Sequence, residues 1–224
     1  MTDTNIETDA ARRLDTALQA ESASTRLQAA LTAGTHPRPE YIRVLIAQCR
    51  IEPDFSVRDM LTWALTRHDR EATVDLLLPE LGSATPQARS QALHSLSKIR
   101  DPRAWSAITT SLLTDDDAEV ARAAWRTAAG LAPDEEKGRL AEVLATQFAR
   151  GDHDLQRSLS RAFAMLGAPA TAAVEIAATY PAPEVSIHAI ATAHVMENPD
   201  DGFEAAVAEA RRVVALRAAP RIEE

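Results

Sequence analysis

The chain has 224 residues, 46% of them hydrophobic but only 4% aromatic, so its apolar material is mostly Ala and Leu and suffices for a large core. Both residues favour helix, and the β-branched or aromatic runs that mark strands are missing, so composition alone predicts an all-α protein. A formal net charge of -9 and a pI near 5.2 repel polyanions, which disfavours nucleic acid and acidic membranes as partners.

From the amino end, residues 1–10 are polar and acidic, without the basic segment and apolar core of a secretory signal. Helical periodicity, broken at short intervals by Pro, Gly and Asp, then predicts helices near 7–20, 23–33, 39–50, 54–68, 70–81, 85–99, 102–113, 117–131, 134–149, 153–166, 168–179, 183–197 and 199–218. Thr85-Pro86 and Asp101-Pro102 are explicit starts. A side-chain acceptor stands at the cap, and proline takes the first helical position, where its missing N–H costs nothing. No apolar run approaches the ~20 residues of a membrane-spanning helix, so no membrane association is expected. The single cysteine, Cys49, ends the apolar run from Val44 and is expected to be a buried, inert thiol. With no second thiol there is no disulfide, and a cytoplasmic protein is expected.

Segments opening at Asp54, Thr85, Asp117, Asp152 and Ala182 align, each placing an apolar residue three positions on: Val57, Ala88, Val120, Leu155 and Val185. These residues are 31, 32, 35 and 30 positions apart, room for one helix pair and its turns. A single pair cannot bury its own apolar face, so the pairs must stack around a continuous core.

The run Asp54-Phe-Ser-Val57-Arg58 and its weaker echoes resemble the HEAT repeat, including the bacterial HEAT-like repeats related to those of phycobilisome lyases, over roughly residues 20 to 200. The arginine is missing at Ala121, Gln156 and Ser186, so the later repeats are placed by spacing and apolar register. The resemblance implies an α-α superhelix, a HEAT-repeat α-solenoid of about six stacked helix pairs with a terminal capping helix. The first helix of each pair would lie on the convex side and the second on the concave side. One domain is then expected over 1–224: an atypical amino-terminal cap over 1–34, helical repeats over 35–198, and a capping helix and tail over 199–224. By the same resemblance, Arg58 and Arg89 would bond to acidic or carbonyl groups at neighbouring turns.

Repeat register also aligns Trp63, His94, Arg126 and Arg161, and beside them Asp59, Ser90, Arg122 and Arg157. Arg122 and Arg126 are four apart, as are Arg157 and Arg161, so each pair shares one helix face. The expected partner-binding ladder is therefore Trp63, His94, Arg122, Arg126, Arg157 and Arg161, a positive patch suited to a carboxylate-rich peptide, a phosphate or an acidic helix. Against it, Glu119 and Asp154 lie three residues before Arg122 and Arg157, where each would form a local ion pair. Trp105 and Trp125 align with the apolar Val74 and Leu93 and are expected in the core, which leaves Trp63 as the groove-facing tryptophan.

Catalytic patterns are missing. His188 and His194 are six apart, on different faces of a helix, and no H-E-x-x-H occurs, so no metal site is expected. No G-x-S-x-G, P-loop or G-x-G-x-x-G is present, and no cofactor is expected. The acidic run Asp115, Asp116, Asp117 with Glu119 lacks the glycine and ligand order of a calcium loop and reads as a turn favouring the next helix start. The function this supports is a non-catalytic scaffold or regulatory adaptor, binding a protein or acidic peptide on the concave face. An alternative is a DNA-binding or repair protein resembling the HEAT-like alkylpurine DNA glycosylases. Trp63 and the arginines support that alternative; the net charge of -9 and the presence of only two lysines, Lys98 and Lys137, oppose it. A lyase or isomerase acting on a chromophore follows from the phycobilisome-lyase analogy alone. Partner identity and oligomeric state are not written in these residues.

Overall fold

A computed structural model describes residues 2–198 and 201–218, with side chains over 9–198 and 201–217. Within that span the apolar periodicity becomes thirteen α-helices and no strand. They are α1 Thr2–Leu18, α2 Ala23–Thr35, α3 Tyr41–Cys49, α4 Phe55–Thr66, α5 Arg70–Leu77, α6 Pro86–Ile99, α7 Thr110–Leu113, α8 Ala118–Leu131, α9 Lys137–Ala145, α10 His153–Leu166, α11 Thr171–Ala178, α12 Pro183–Glu197 and α13 Phe203–Ala218. Residues 199–200, at the expected start of the last helix, and the expected tail over 219–224 lie outside the described residues.

The even-numbered helices from α2 to α12 pack each on the next and form one layer. Helices α1, α3, α5, α9 and α11, together with the segment 102–113, form the other. This is an all-α solenoid of six stacked helix pairs, closed by α13, which packs on α12. Register positions that align in sequence are buried together: Val57, Ala88, Val120 and Leu155 at one level, Leu61, Ala92, Ala124 and Leu159 at the next. All of these but Ala88 belong to one apolar cluster running from Leu14 to Ala189. A small second cluster between α12 and α13 includes Val195, Phe203 and Val207.

Acidic residues start the helices. Asp54, Asp69, Asp117 and Asp152 each accept a hydrogen bond from a backbone N–H two or three residues on, at 2.9–3.1 Å. Such a cap contributes about 1 kcal/mol. Arginine then ties the turns before α4 and α6. Arg58 donates to the carbonyls of Glu52 and Pro53, and Arg89 donates to the carbonyl of Ser83 and to both carboxylate oxygens of Asp115 at 3.0 Å.

The same device occurs one repeat earlier, inside the segment set apart in sequence as an atypical cap. Arg26 donates to both oxygens of the fully buried Glu52, at 2.8 and 2.7 Å, and to the carbonyls of Ala20 and Glu21. Gln48 and the N–H of Asp54 complete the shell of Glu52. Burial alone would raise the carboxyl, but these donors outweigh it and hold Glu52 below the usual carboxylate range. At Gln156, where the arginine is missing, the amide still reaches back to the carbonyl of Gly151.

Three helices expected to be continuous are interrupted. Pro79 removes an N–H, and the helix starting at Arg70 finishes as a 3-10 turn over Leu78–Gly82. The helix expected over 102–113 is instead a 3-10 segment, Pro102–Ala107, and the single turn α7, with Ile108 and Thr109 extended between them. Ile108, Thr109 and Thr110 are three successive β-branched residues, which weaken helix continuation. The helix expected to reach 149 ends at Ala145, and Ala149 adopts a positive φ of 64°.

Candidate functional site

A cleft of about 250 Å³ opens on the layer of second helices, between α4, α6 and α8. Its walls join the two aligned ladders: Asp59, Ser90 and Arg122 from one, His94 and Arg126 from the other. Phe55, 74% exposed, lies at its edge. The cleft exists because three successive second helices stack in register, so side chains some thirty residues apart meet.

Arg126 donates to Nδ1 of His94 at 3.0 Å, which puts the ring proton on Nε2. That nitrogen faces Asp59 at 3.9 Å, beyond hydrogen-bonding distance. Burial first, then the positive charges of Arg126 and Lys98, push the His94 pKa down to about 4 against the pull of Asp59. His94 is therefore a neutral acceptor at pH 7. Burial and the neighbouring Arg122 also lower the pKa of Arg126. Glu119 approaches Arg122 at 3.7 Å, an ion pair without a hydrogen bond. Arg122 Nε and Gln91 Oε1, both in the cleft walls, are sealed from solvent with no hydrogen-bond partner among the described residues. Arg58 also lines the cleft, but its guanidinium is held by the turn carbonyls and lies 5.9 Å from the Phe55 ring centre.

The remaining ladder residues stand outside these walls. Trp63 is 38% exposed and lies over Gly34, one repeat earlier: a Cβ at Gly34 would sit 2.4 Å from the indole. Arg157 is paired to Asp154 at 2.6 Å, the local neutralisation foreseen from sequence, while Arg161 is exposed and forms no ion pair among the described residues. Trp125 is buried and donates its indole N–H to the carbonyl of Leu113 at 2.7 Å. Trp105 is half-buried against the core.

The cleft holds no activated nucleophile. The Ser90 hydroxyl donates to the carbonyl of Gln87 rather than to His94. Cys49 is buried elsewhere, and desolvation, followed by the charge of Glu52, pushes its pKa up to about 12. Among the described residues no three His, Cys, Asp or Glu side chains converge as a metal site. What the cleft offers is charge recognition: two adjacent guanidiniums and one neutral imidazole. The two sequence ladders locate its two registers; Phe55 and Gln91 belong to neither ladder, so register alone does not find them.

Residues 42–129 match the family model for HEAT repeats, a span that contains every wall of the cleft. Over that span the chain carries HEAT repeats. No curated protein sequence matches it. Among solved structures it is similar to the complex of CpcE and CpcF of phycocyanin lyase from Nostoc, at 16% identity and a TM-score of 0.40, covering 91% of this chain and 94% of that one. It is also similar to human deoxyhypusine hydroxylase in complex with glycerol, at 14% identity and a TM-score of 0.46, covering 95% and 96%. At that level of agreement neither protein speaks to the chemistry of this chain. No helix among the described residues is long and apolar enough to cross a membrane.

Proposed function

We propose that this protein is a non-catalytic interaction scaffold that binds a protein or acidic peptide on its second-helix face, the concave one by the HEAT resemblance. One observation carries this reading. Arg122 and Arg126 share a cleft on an otherwise acidic chain, and among the described residues neither is hydrogen-bonded to a carboxylate. At the turns, by contrast, Arg26 and Arg89 each grip a carboxylate through two bonds. Guanidiniums left without such a partner suit an incoming carboxylate.

The test is a fluorescence-anisotropy titration with a labelled oligoglutamate of about twenty residues at low ionic strength. Saturable binding is expected, weakened about tenfold or more by the double change Arg122→Glu, Arg126→Glu. No saturable binding, or binding indifferent to that charge reversal, removes this reading. Duplex DNA in the same titration is expected to stay unbound; tighter binding of DNA than of oligoglutamate would instead support the alkylpurine glycosylase-like alternative.

A further inference from the structure

The cleft between α4, α6 and α8 is matched to one negative charge. We infer that it takes the carboxylate of a single Glu or Asp side chain in an extended segment of the partner, clamped between Arg122 and Arg126. This rests on the scaffold reading above and names the group that its central site recognises.

Charge is the first reason. Arg58, Arg122 and Arg126 face Asp59 and Glu119 in the same walls, and His94 is neutral, so the formal balance is a single positive charge. One carboxylate neutralises it. A phosphate monoester, carrying nearly two negative charges at pH 7, meets Asp59 and Glu119 with an uncompensated charge of its own.

Hydrogen bonding is the second. The acceptor that Arg126 now uses is a neutral imidazole, whereas a carboxylate adds the Coulombic attraction of opposite charges to the hydrogen bond. An incoming carboxylate therefore displaces His94 from Arg126. Arg122 is likewise uncommitted: its Nε has no hydrogen-bond partner among the described residues, and Glu119 stands 3.7 Å from its guanidinium.

Size is the third. A cleft of about 250 Å³ lies below the roughly 300–1,000 Å³ of pockets that take drug-sized ligands, so it suits one side chain rather than a docked helix. Phe55, exposed beside Arg58, offers an apolar surface to the neighbouring side chain.

The experiment is an NMR titration of the full chain with three capped short peptides that differ only at a central residue: glutamate, glutamine or phosphoserine. The glutamate peptide is expected to shift resonances of α4, α6 and α8, to bind about tenfold or more tightly than the glutamine peptide, and to outbind the phosphoserine peptide. Arg126→Ala is expected to cost about tenfold in affinity, whereas His94→Ala should tighten binding a few-fold by releasing Arg126. Equal affinity for the glutamate and glutamine peptides overturns the inference, and so does preference for phosphoserine. The peptide comparison uses the unmodified protein, so misfolding of a variant cannot mimic either outcome. If oligoglutamate binds in the earlier titration but the short peptides are not distinguished, the single-carboxylate site falls and the scaffold stands. If oligoglutamate does not bind either, both fall.

Discussion

Between α2 and α6 the turns are tied by arginine and carboxylate, whereas between α9 and α13 comparable ties are made by a neutral imidazole, hydroxyls and stacked rings. Glu52 gathers Arg26, Gln48 and the N–H of Asp54; Arg50 pairs with the buried Glu80; Arg89 grips Asp115. In the later region His188 accepts the N–H of Ala149 at 3.0 Å through Nδ1 and donates from Nε2 to the carbonyl of Gln156 at 3.0 Å. Ser160 and Thr192 bond at 2.6 Å between α10 and α12, and the Phe148 and Phe163 rings stack 4.9 Å apart and within 6° of parallel. Both chemistries bind a turn to its neighbouring helices. They differ in what undoes them, because carboxylate ties survive mild acid and an imidazole acceptor does not.

The comparison breaks most sharply at Glu52. Its side chain is fully buried and that of Arg26 is only 11% exposed, so Glu52→Ala leaves a covered guanidinium without its counter-charge. Losing one partner of such a pair costs about 3–5 kcal/mol, a large share of the stability of an ordinary domain. Urea unfolding should show the midpoint falling accordingly. A loss below about 1 kcal/mol would mean that this clamp behaves like a surface pair.

Next comes acid. Burial, the leading cause, pushes the His188 pKa down to about 4, whereas in the unfolded chain the imidazole titrates near its usual 6.5. Between those values the unfolded chain binds more protons, so stability is complete above about pH 6.5 and declines as pH falls toward 4. The full window is worth about 3 kcal/mol for this one residue. His94 adds loss in the same direction from the cleft. The difference between the native chain and His188→Gln isolates the later region: the pH dependence of the urea midpoint between pH 6.5 and 4 should shrink in the variant. An unchanged dependence would show that the imidazole tie is not what acid breaks.

These two residues also show how far the sequence could be read. The Asp54 cap, the Arg58 and Arg89 ties and the alignment of Asp59 with Ser90 and Arg122 follow from a fixed period, because residues at one register position share one environment. Glu52 does not follow. Its importance lies in Arg26, 26 positions away, in a segment opened by Ser22 rather than by the Asp or Pro that marks other repeats. The spacing of His188 from His194 speaks only to metal binding, and nothing local in sequence says that His188 will meet the N–H of Ala149, 39 positions back. Trp63 has the register of a groove residue, yet Gly34 leaves room for its indole to lie down on α2. Register fixes which side chains are neighbours; the rotamer each adopts depends on what the next helix leaves open.

The smallest effect on stability is expected at Arg126, and it separates the arginines that hold the fold from those that the cleft presents. Arg89 makes four hydrogen bonds to Asp115, Ser83 and Ala84, so Arg89→Ala strips a half-buried carboxylate of its partner and should cost about 1–3 kcal/mol. Arg126 has one bond, to a neutral ring, and lies near the like charge of Arg122. Removing it loses a weak interaction and relieves a repulsion, so Arg126→Ala should change stability by no more than about 0.5 kcal/mol in either direction. Parallel urea curves of the two variants test this directly. If Arg126→Ala proves as destabilising as Arg89→Ala, then its guanidinium is part of the packing between α6 and α8, and the cleft loses the cation on which its recognition of a carboxylate depends.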